Sequence, residues 1–374
     1  MSAAESEGDY QDENNASTNT VVAKRTSAKG KGSKGKKAGK SSKAGSGGKQ
    51  NLNTTVIASA NTKTSHLIRN DEKNVLITAL LSHTVSVDTV ANDLIDRHNT
   101  DANAAQCELV NALFRSVGGS PSCEINPSNH KLDDIDDDEW AAMITDVVSD
   151  MQNAHPSHVL LTAKKTTTKV AAKFLESFKN FWFSVADVAL SEGAGASKSP
   201  GAAGTPTSAR LDVELVKELI LRVTELVGVG QPDIRFASSL ATFEMARAVL
   251  MKIVSLSNNL AIAERQHAAA TGKRKDSLKS QIDSLKKVIS EMEELVTGPV
   301  YSVVFMHRYR DSNEYVRTLC LENLATSIIL RPSLFLQDKY LKYFGWMLSD
   351  TSPEVRTQTS KQGNWRHSSR RGHK

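Results

Sequence analysis

The sequence predicts an all-α protein: an array of helical repeats with a protruding antiparallel helical hairpin, preceded by a disordered basic arm. Three observations carry this. A seven-residue pattern, D-x-x-x-x-V-R, occurs at Asp311–Arg317 and again at Asp350–Arg356. Apolar residues recur at i, i+3 and i+4 through most of the chain beyond residue 70, the spacing of helices with one buried face. In the first 65 residues Lys alternates with Gly, Ser and Ala, and no acid lies between Glu13 and Asp71, so this stretch cannot bury a core.

The two copies of the pattern lie roughly 40 residues apart, near the roughly 40–47-residue period of HEAT-like arrays. The spacing suits Asp as a helix cap, Val as a core residue one turn later, and Arg reaching back to a neighbouring unit's cap. Asp311 with Glu314 also makes a variant capping box. The helix that follows aligns Val316, Leu319, Cys320, Leu324, Ser327 and Ile328, and ends at Pro332. A second helix is expected from about Ser333 to Leu348. Leu336, Tyr340, Tyr343, Phe344 and Met347 form its core side, with Asp338, Lys342 and Trp346 opposite at i, i+4 and i+8. A tryptophan on a polar face is either covered by the next repeat or is a docking site, since Trp is enriched at binding hot spots.

Hydrophobic content is 39% and aromatic content 5%, which suits a helical array with disordered segments better than one globule. The net charge is +5, unevenly spread. The 3 cysteines have no metal or disulfide spacing and point to a reducing compartment. No apolar run approaches the roughly 18 residues of a membrane span, and the acidic MSAAESEGDY start is not a secretory signal. There is no P-loop, no Gly-rich fingerprint after a strand, no zinc-binding His/Glu pair and no nucleophile elbow. No enzyme activity, cofactor or metal site is therefore expected.

Residues 1–68 form the basic low-complexity arm. Lys24, Arg25, Lys34, Lys36 and Lys37 are candidates for contact with DNA phosphates, the alternative being a solubilising tail. Residues 69–191 form an N-terminal helical region. It contains helices from about Asp71 to His98 and from Asp101 to Phe114, the latter closed by Gly118-Gly119. The acidic run Asp133–Glu139 suits a helix N-terminus better than a calcium loop. The helix from Thr167 to Leu190 carries Phe174, Phe178, Phe181, Trp182 and Phe183 as core. Residues 192–209, EGAGASKSPGAAGTPTSA, read as a flexible linker.

Residues 210–299 hold a helix from Leu211 to Val227 and a long helix opened by Pro232-Asp233-Ile234-Arg235. Beyond Gly272 comes a helix whose Leu278, Ile282, Leu285, Ile289, Met292 and Val296 make a coiled-coil seam. The hairpin tip, Lys273-Arg274-Lys275, either touches DNA or is a solvated turn. Residues 300–359 hold the repeat pair. The periodicity stops after Arg356, so 360–374 is expected to be an irregular tail.

The HRYRD stretch at 307–311, the Val316-Arg317 pair, YLKYFGWML at 340–348 and the D-x-x-x-x-V-R after it resemble the stromalin conservative domain. That domain marks the stromalin, STAG-type, HEAT subunits of cohesin. The resemblance is strongest from Val303 to Arg356, with Pro232–Arg235 and the Gly-Lys-Arg of the hairpin in register upstream. It implies a non-catalytic nuclear, chromosome-bound scaffold in sister-chromatid cohesion and chromosome segregation. It implies double-stranded DNA, the cohesin kleisin subunit and aromatic-motif peptides of chromatin regulators as partners, and no membrane. The peptide pocket it implies is built around Tyr309, Arg310, Asp338, Lys342 and Trp346. In the family, further pocket walls and the main kleisin surface lie C-terminal to the stretch spanned here. Two other readings stay open: a helical-repeat adaptor outside cohesin, and a truncated, non-functional isoform.

Overall fold

The computed structural model describes residues 74–132, 134–153, 160–165, 168–191 and 212–363, which fall in a compact unit spanning Asn51–Lys374. The expectations for Lys24, Arg25, Lys34, Lys36, Lys37 and the 192–209 linker lie outside these residues. Every regular element among the described residues is helical.

Helices α1 (Val75–Ser82), α2 (Val87–His98) and α3 (Ala102–Ser116) open on Asn74, Ser86 and Asp101, whose side chains accept N–H groups of the first turn. Each such cap contributes about 1 kcal/mol. After α3 the chain turns at Gly118, whose φ of 103° favours glycine. Helix α4 (Asp137–Asn153) opens on Asp137, Asp138 and Glu139, where the helix dipole favours acids. Helix α5 (Lys169–Ala189) buries Phe174, Phe178, Phe181 and Trp182 as expected of its stripe, with Trp182 edge-on to Phe178 and Phe181 at 5.9 and 5.6 Å. Phe183 sits at the margin under the Arg247 guanidinium, 4.1 Å away.

Helix α6 (Val213–Thr224) leads through a 3-10 turn (Glu225–Gly228) into α7 (Pro232–Ala269), a 38-residue helix that packs against α5, α6 and the helices that follow. Gly272, at φ 60°, turns the chain into α8 (Lys273–Leu295). On α8, Leu278, Ile282, Ile289 and Met292 are buried and Leu285 partly so, as the heptads require.

The structure departs from expectation beyond Leu295. The helix does not stop near residue 299. It widens into a π segment, Val296–Phe305, that passes through Pro299 and closes on the turn Met306–Arg308. Proline cannot donate the ordinary i→i−4 bond, and wider i→i+5 turns carry the chain past it. The boundary expected at residue 299 thus falls inside a continuous helical run.

Helix α9 (Glu314–Leu330) buries Val316, Leu319, Cys320, Leu324, Ser327 and Ile328. The single helix expected from Ser333 to Leu348 is two, α10 (Pro332–Phe335) and α11 (Asp338–Met347). Gln337 is extended between them, and Leu336 leaves the core stripe and is exposed. Helix α12 (Pro353–Gly363) continues into the stretch expected to be irregular, held by Val355 and Thr359, buried one turn apart.

The repeated arginines work differently from the expected capping scheme. Asn313, not Asp311, caps α9, accepting the Tyr315 N–H at 2.9 Å. Asp311 accepts the Asn313 N–H and takes a bidentate bond from Arg235, at 2.8 and 2.9 Å, plus Arg308 at 2.8 Å. Arg317 in turn reaches forward, rather than back, to Asp350 at 2.8 and 2.7 Å. Glu314 completes no capping box; it accepts the Ser352 hydroxyl on the next unit. Asp311 is therefore a joint between successive units, its one carboxylate accepting from Arg235, Arg308 and the Asn313 N–H.

A short strap, Leu160–Ala163, ties the N-terminal helices to these joints. Leu160 and Leu161 donate to the Ser116 carbonyl at the end of α3. Ala163 donates to Asp233 at the start of α7, and its carbonyl accepts from Asn313 at the start of α9. Its buried backbone is thus hydrogen-bonded to side chains and helix ends rather than to a sheet or helix of its own.

Candidate peptide-docking site

The π segment and α11 bring a file of rings to the surface. Tyr301 lies 5.2 Å from Phe305, Phe305 stacks on Tyr309 at 5.9 Å, and Tyr309 meets Tyr343 edge-on at 4.8 Å. Tyr343 meets Trp346 at 5.3 Å and 88°, and Trp346 stands 6.3 Å from Tyr309. Each such pair contributes about 0.5–1.5 kcal/mol beyond area burial. The file begins in the core and ends in water: Tyr301 and Phe305 are buried, whereas Trp346 is 54% exposed. Among the described residues nothing covers it, so the alternative in which a further repeat buries this tryptophan is not realised there.

Two cations flank the open rings. Lys342 Nζ lies 5.1 Å from the Trp346 ring centre and 5.3 Å from that of Tyr343, and the Arg310 guanidinium lies 5.9 Å from Tyr309. At exposed positions such contacts are worth about 0.5–1 kcal/mol. The structure thus brings together four of the five residues named from the sequence: Tyr309, Arg310, Lys342 and Trp346. Asp338 stands on the same exposed face of α11, one turn before Lys342, and pairs with no base among the described residues.

Two further residues belong to the cluster. Tyr343 is buried beneath Trp346, and its hydroxyl donates to Met306 Sδ at the edge of the patch. Burial, followed by the neighbouring Tyr309 and Tyr340, pushes its hydroxyl pKa up, so it remains a donor. Tyr343 was legible only as core, and Met306 carried no sequence signal. The arrangement can seat an aromatic side chain on Trp346 and Tyr309, with Lys342 and Arg310 set to receive carboxylate or carbonyl oxygens. The thiols of Cys107 and Cys320 are buried, the first with its pKa pushed up to about 11 and the second well above its usual value, both by desolvation. They pack as small apolar groups.

The second set of candidates lies at the hairpin tip. Lys273, Arg274 and Lys275 form the first turn of α8, all exposed. Being consecutive in a helical turn, they point to different sides of the helix, with Asp276 next to them.

Residues 310–362 match the family model of the stromalin conservative domain. Along more of its length the chain is similar to the sister-chromatid cohesion protein 3 of Arabidopsis thaliana, at 26% identity over 70% of this chain and 22% of that protein. It is similar to the cohesin subunit SA-3 of Mus musculus at 22% identity, over 82% and 23%. The cohesin subunit psc3 of Schizosaccharomyces pombe is 34% identical over 26% of this chain and 11% of its own length. The fold matches that of the cohesin subunit Scc3 from Z. rouxii, with a TM-score of 0.63 and 22% identity, over 79% of this chain and 33% of that one. The chain spans about a fifth of the length of the first two relatives. The match to the stromalin conservative domain at residues 310–362 takes in Arg310, Lys342 and Trp346 of the aromatic patch and the Arg317–Asp350 joint, within a fold similar to that of a solved cohesin subunit.

Proposed function

We infer that this chain acts in a cohesin complex as a non-catalytic helical scaffold that supports sister-chromatid cohesion and chromosome segregation. The observation that carries the reading is the half-exposed Trp346, set on a buried ring file and flanked by Lys342 within the stromalin conservative domain. In this reading the patch holds an aromatic-motif peptide of a chromatin regulator. Trp346 and Tyr309 supply rigid anchor area, while Arg310, Lys342 and Asp338 fix its register. Lys273, Arg274 and Lys275, with Lys24, Arg25, Lys34, Lys36 and Lys37 of the basic arm, contact the phosphates of double-stranded DNA. The chain works on chromosomes in the nucleus, among the subunits of the cohesin complex.

The test is recovery of tagged chain from chromatin, probed for the kleisin and the other ring subunits. Their enrichment over an untagged control is expected. Recovery of a helical-repeat partner set without any cohesin subunit would favour an adaptor outside cohesin.

A further inference from the structure

The distal part of the α7–α8 hairpin stands apart from the body of the array. Ala263, Leu278 and Ile282 are buried along its seam but lie outside the main apolar core. The two flanks of that seam differ. One is closed by a salt bridge from Lys286 Nζ to Glu264 Oε1 at 2.9 Å. The other holds a cleft of about 310 Å³, with Leu256, Ala263 and Leu285 at its floor and the exposed amides of Asn259, Gln266 and Gln281 at its edges. No charged side chain lines it. Ile262 stands at the rim with 45% of its surface exposed, on a face where a helix that meets only water carries polar residues.

We propose that the uncharged flank of the hairpin seats a second copy of this chain, two hairpins packing across a two-fold axis as a four-helix bundle with each Ile262 in the cleft of the other. In a two-fold contact one patch meets itself, so the patch must carry both the projecting side chain and the recess that receives it. Ile262 and the cleft are such a pair, side by side on one flank. Facing copies must also avoid setting like charge against like, which is costly, and this flank meets that condition because its lining is uncharged. Asn and Gln amides both donate and accept, so Asn259, Gln266 and Gln281 can each pair with the same group of the other copy. Polar residues beside an apolar seam also fix its register. The lining residues of α7 run from Leu256 to Gln266, about 15 Å of helix, so the contact is a small, weak one. A single helix of another protein would need neither the projecting Ile262 beside its own recess nor amides that pair with themselves. The aromatic patch on α11 takes no part, so either can fail without the other.

The test is sedimentation velocity of the full chain between about 1 and about 100 µM, the range that suits a weak interface. A reversible rise toward twice the monomer mass is expected. Ile262→Glu should weaken that association at least about tenfold, since it sets two buried carboxylates near one axis. Its helical circular dichroism should be unchanged, because Ile262 is half-exposed in the single chain. Lys286→Ala, on the other flank, should leave the association as it was. Ile262→Cys and Gln281→Cys chains with tags of different size are also mixed in equal amounts and oxidised. A disulfide-linked dimer bearing both tags is expected, in excess over the same mixture of unsubstituted chains. Three results would overturn the proposal: a chain that stays monomeric throughout, an association that Ile262→Glu leaves unchanged, or no excess of the mixed cross-linked dimer.

Discussion

Arg235 and Asp311, 76 residues apart in the chain, meet as a bidentate pair at 2.8 and 2.9 Å with both side chains almost wholly removed from water. Two charges are buried together there: Asp311 is the one carboxylate facing Arg235 among the described residues, and Arg235 the one bidentate partner of Asp311, with Arg308 adding a single bond. Taking away one partner leaves the other uncompensated, which costs about 3–5 kcal/mol. Asp311→Ala is expected to lose that much stability in urea denaturation. The double variant Arg235→Met/Asp311→Leu is expected to lose less than either single variant. A loss below 1 kcal/mol for Asp311→Ala would mean that the joint is not a main tie between the units.

The same joints set a pH dependence. Burial acts to raise the carboxyl pKa values of Asp311 and Asp350, but hydrogen bonds from Arg235 and from Arg317, the backbone N–H groups and the nearby guanidinium charges outweigh it. Both carboxyls lie below the ordinary 3.8. A pKa lowered by folding stabilises the protein fully above the unfolded value and loses that contribution as the pH falls through the folded one. Stability should therefore be level in this respect above 3.8 and decline below it. Asp311→Asn/Asp350→Asn should start lower and fall less steeply, as followed by thermal melting across acid pH.

Trp346 tests the docking site. Because it is 54% exposed, Trp346→Ala should keep helical circular dichroism and leave stability within about 1 kcal/mol. As a hot-spot anchor it should cost at least about 2 kcal/mol in binding an aromatic-motif peptide, roughly thirtyfold, by fluorescence anisotropy. If helicity collapses, Trp346 is a core residue. If peptide affinity is unchanged, the patch has another use.

The basic tip and the arm can be separated by salt. Replacing Lys273, Arg274 and Lys275 by alanine removes up to three phosphate contacts, which should flatten the plot of log affinity against log salt by up to about 2.7 for duplex DNA. Deleting Thr20–Gln50 should weaken binding further. Unchanged affinity at every salt concentration for either variant removes that segment from the DNA-binding surface.

Much of this fold was legible because it follows from local rules. Asp101 starts a helix where its side-chain oxygen can meet a first-turn N–H group, and the α8 seam follows from heptads; the caps Asn74 and Ser86, which divide the stretch read as running from Asp71 to His98, were not read. What was not legible depends on contacts distant in sequence. Asp311 looks like a cap for the helix after it, but Arg235 claims it from another helix, and Asn313 takes the cap. The strap at Leu160–Ala163 has no periodicity, because its hydrogen bonds are made by Ser116, Asp233 and Asn313. In the candidate site the exposed side of α11 could be read from spacing. The depth beneath it, Tyr343 and Phe305, could not, because that side was indistinguishable from ordinary core.

The π segment decides whether there is a site at all. Tyr301, Phe305 and Tyr309 are four residues apart, and in a regular α-helix each such step overruns a full turn by about 40°. The three rings would then fan out by roughly 80°. In this chain the first step lies in the wider π turns, which take more residues to come round, and only the second lies in the closing α-turn. Underrun and overrun cancel, and the rings stay in line. The segment acts as a phase correction, so losing one residue within it would swing Tyr309 away from Trp346 by about 100°. A relative can keep Tyr309, Arg310, Lys342 and Trp346 unchanged and still lack the patch they form here.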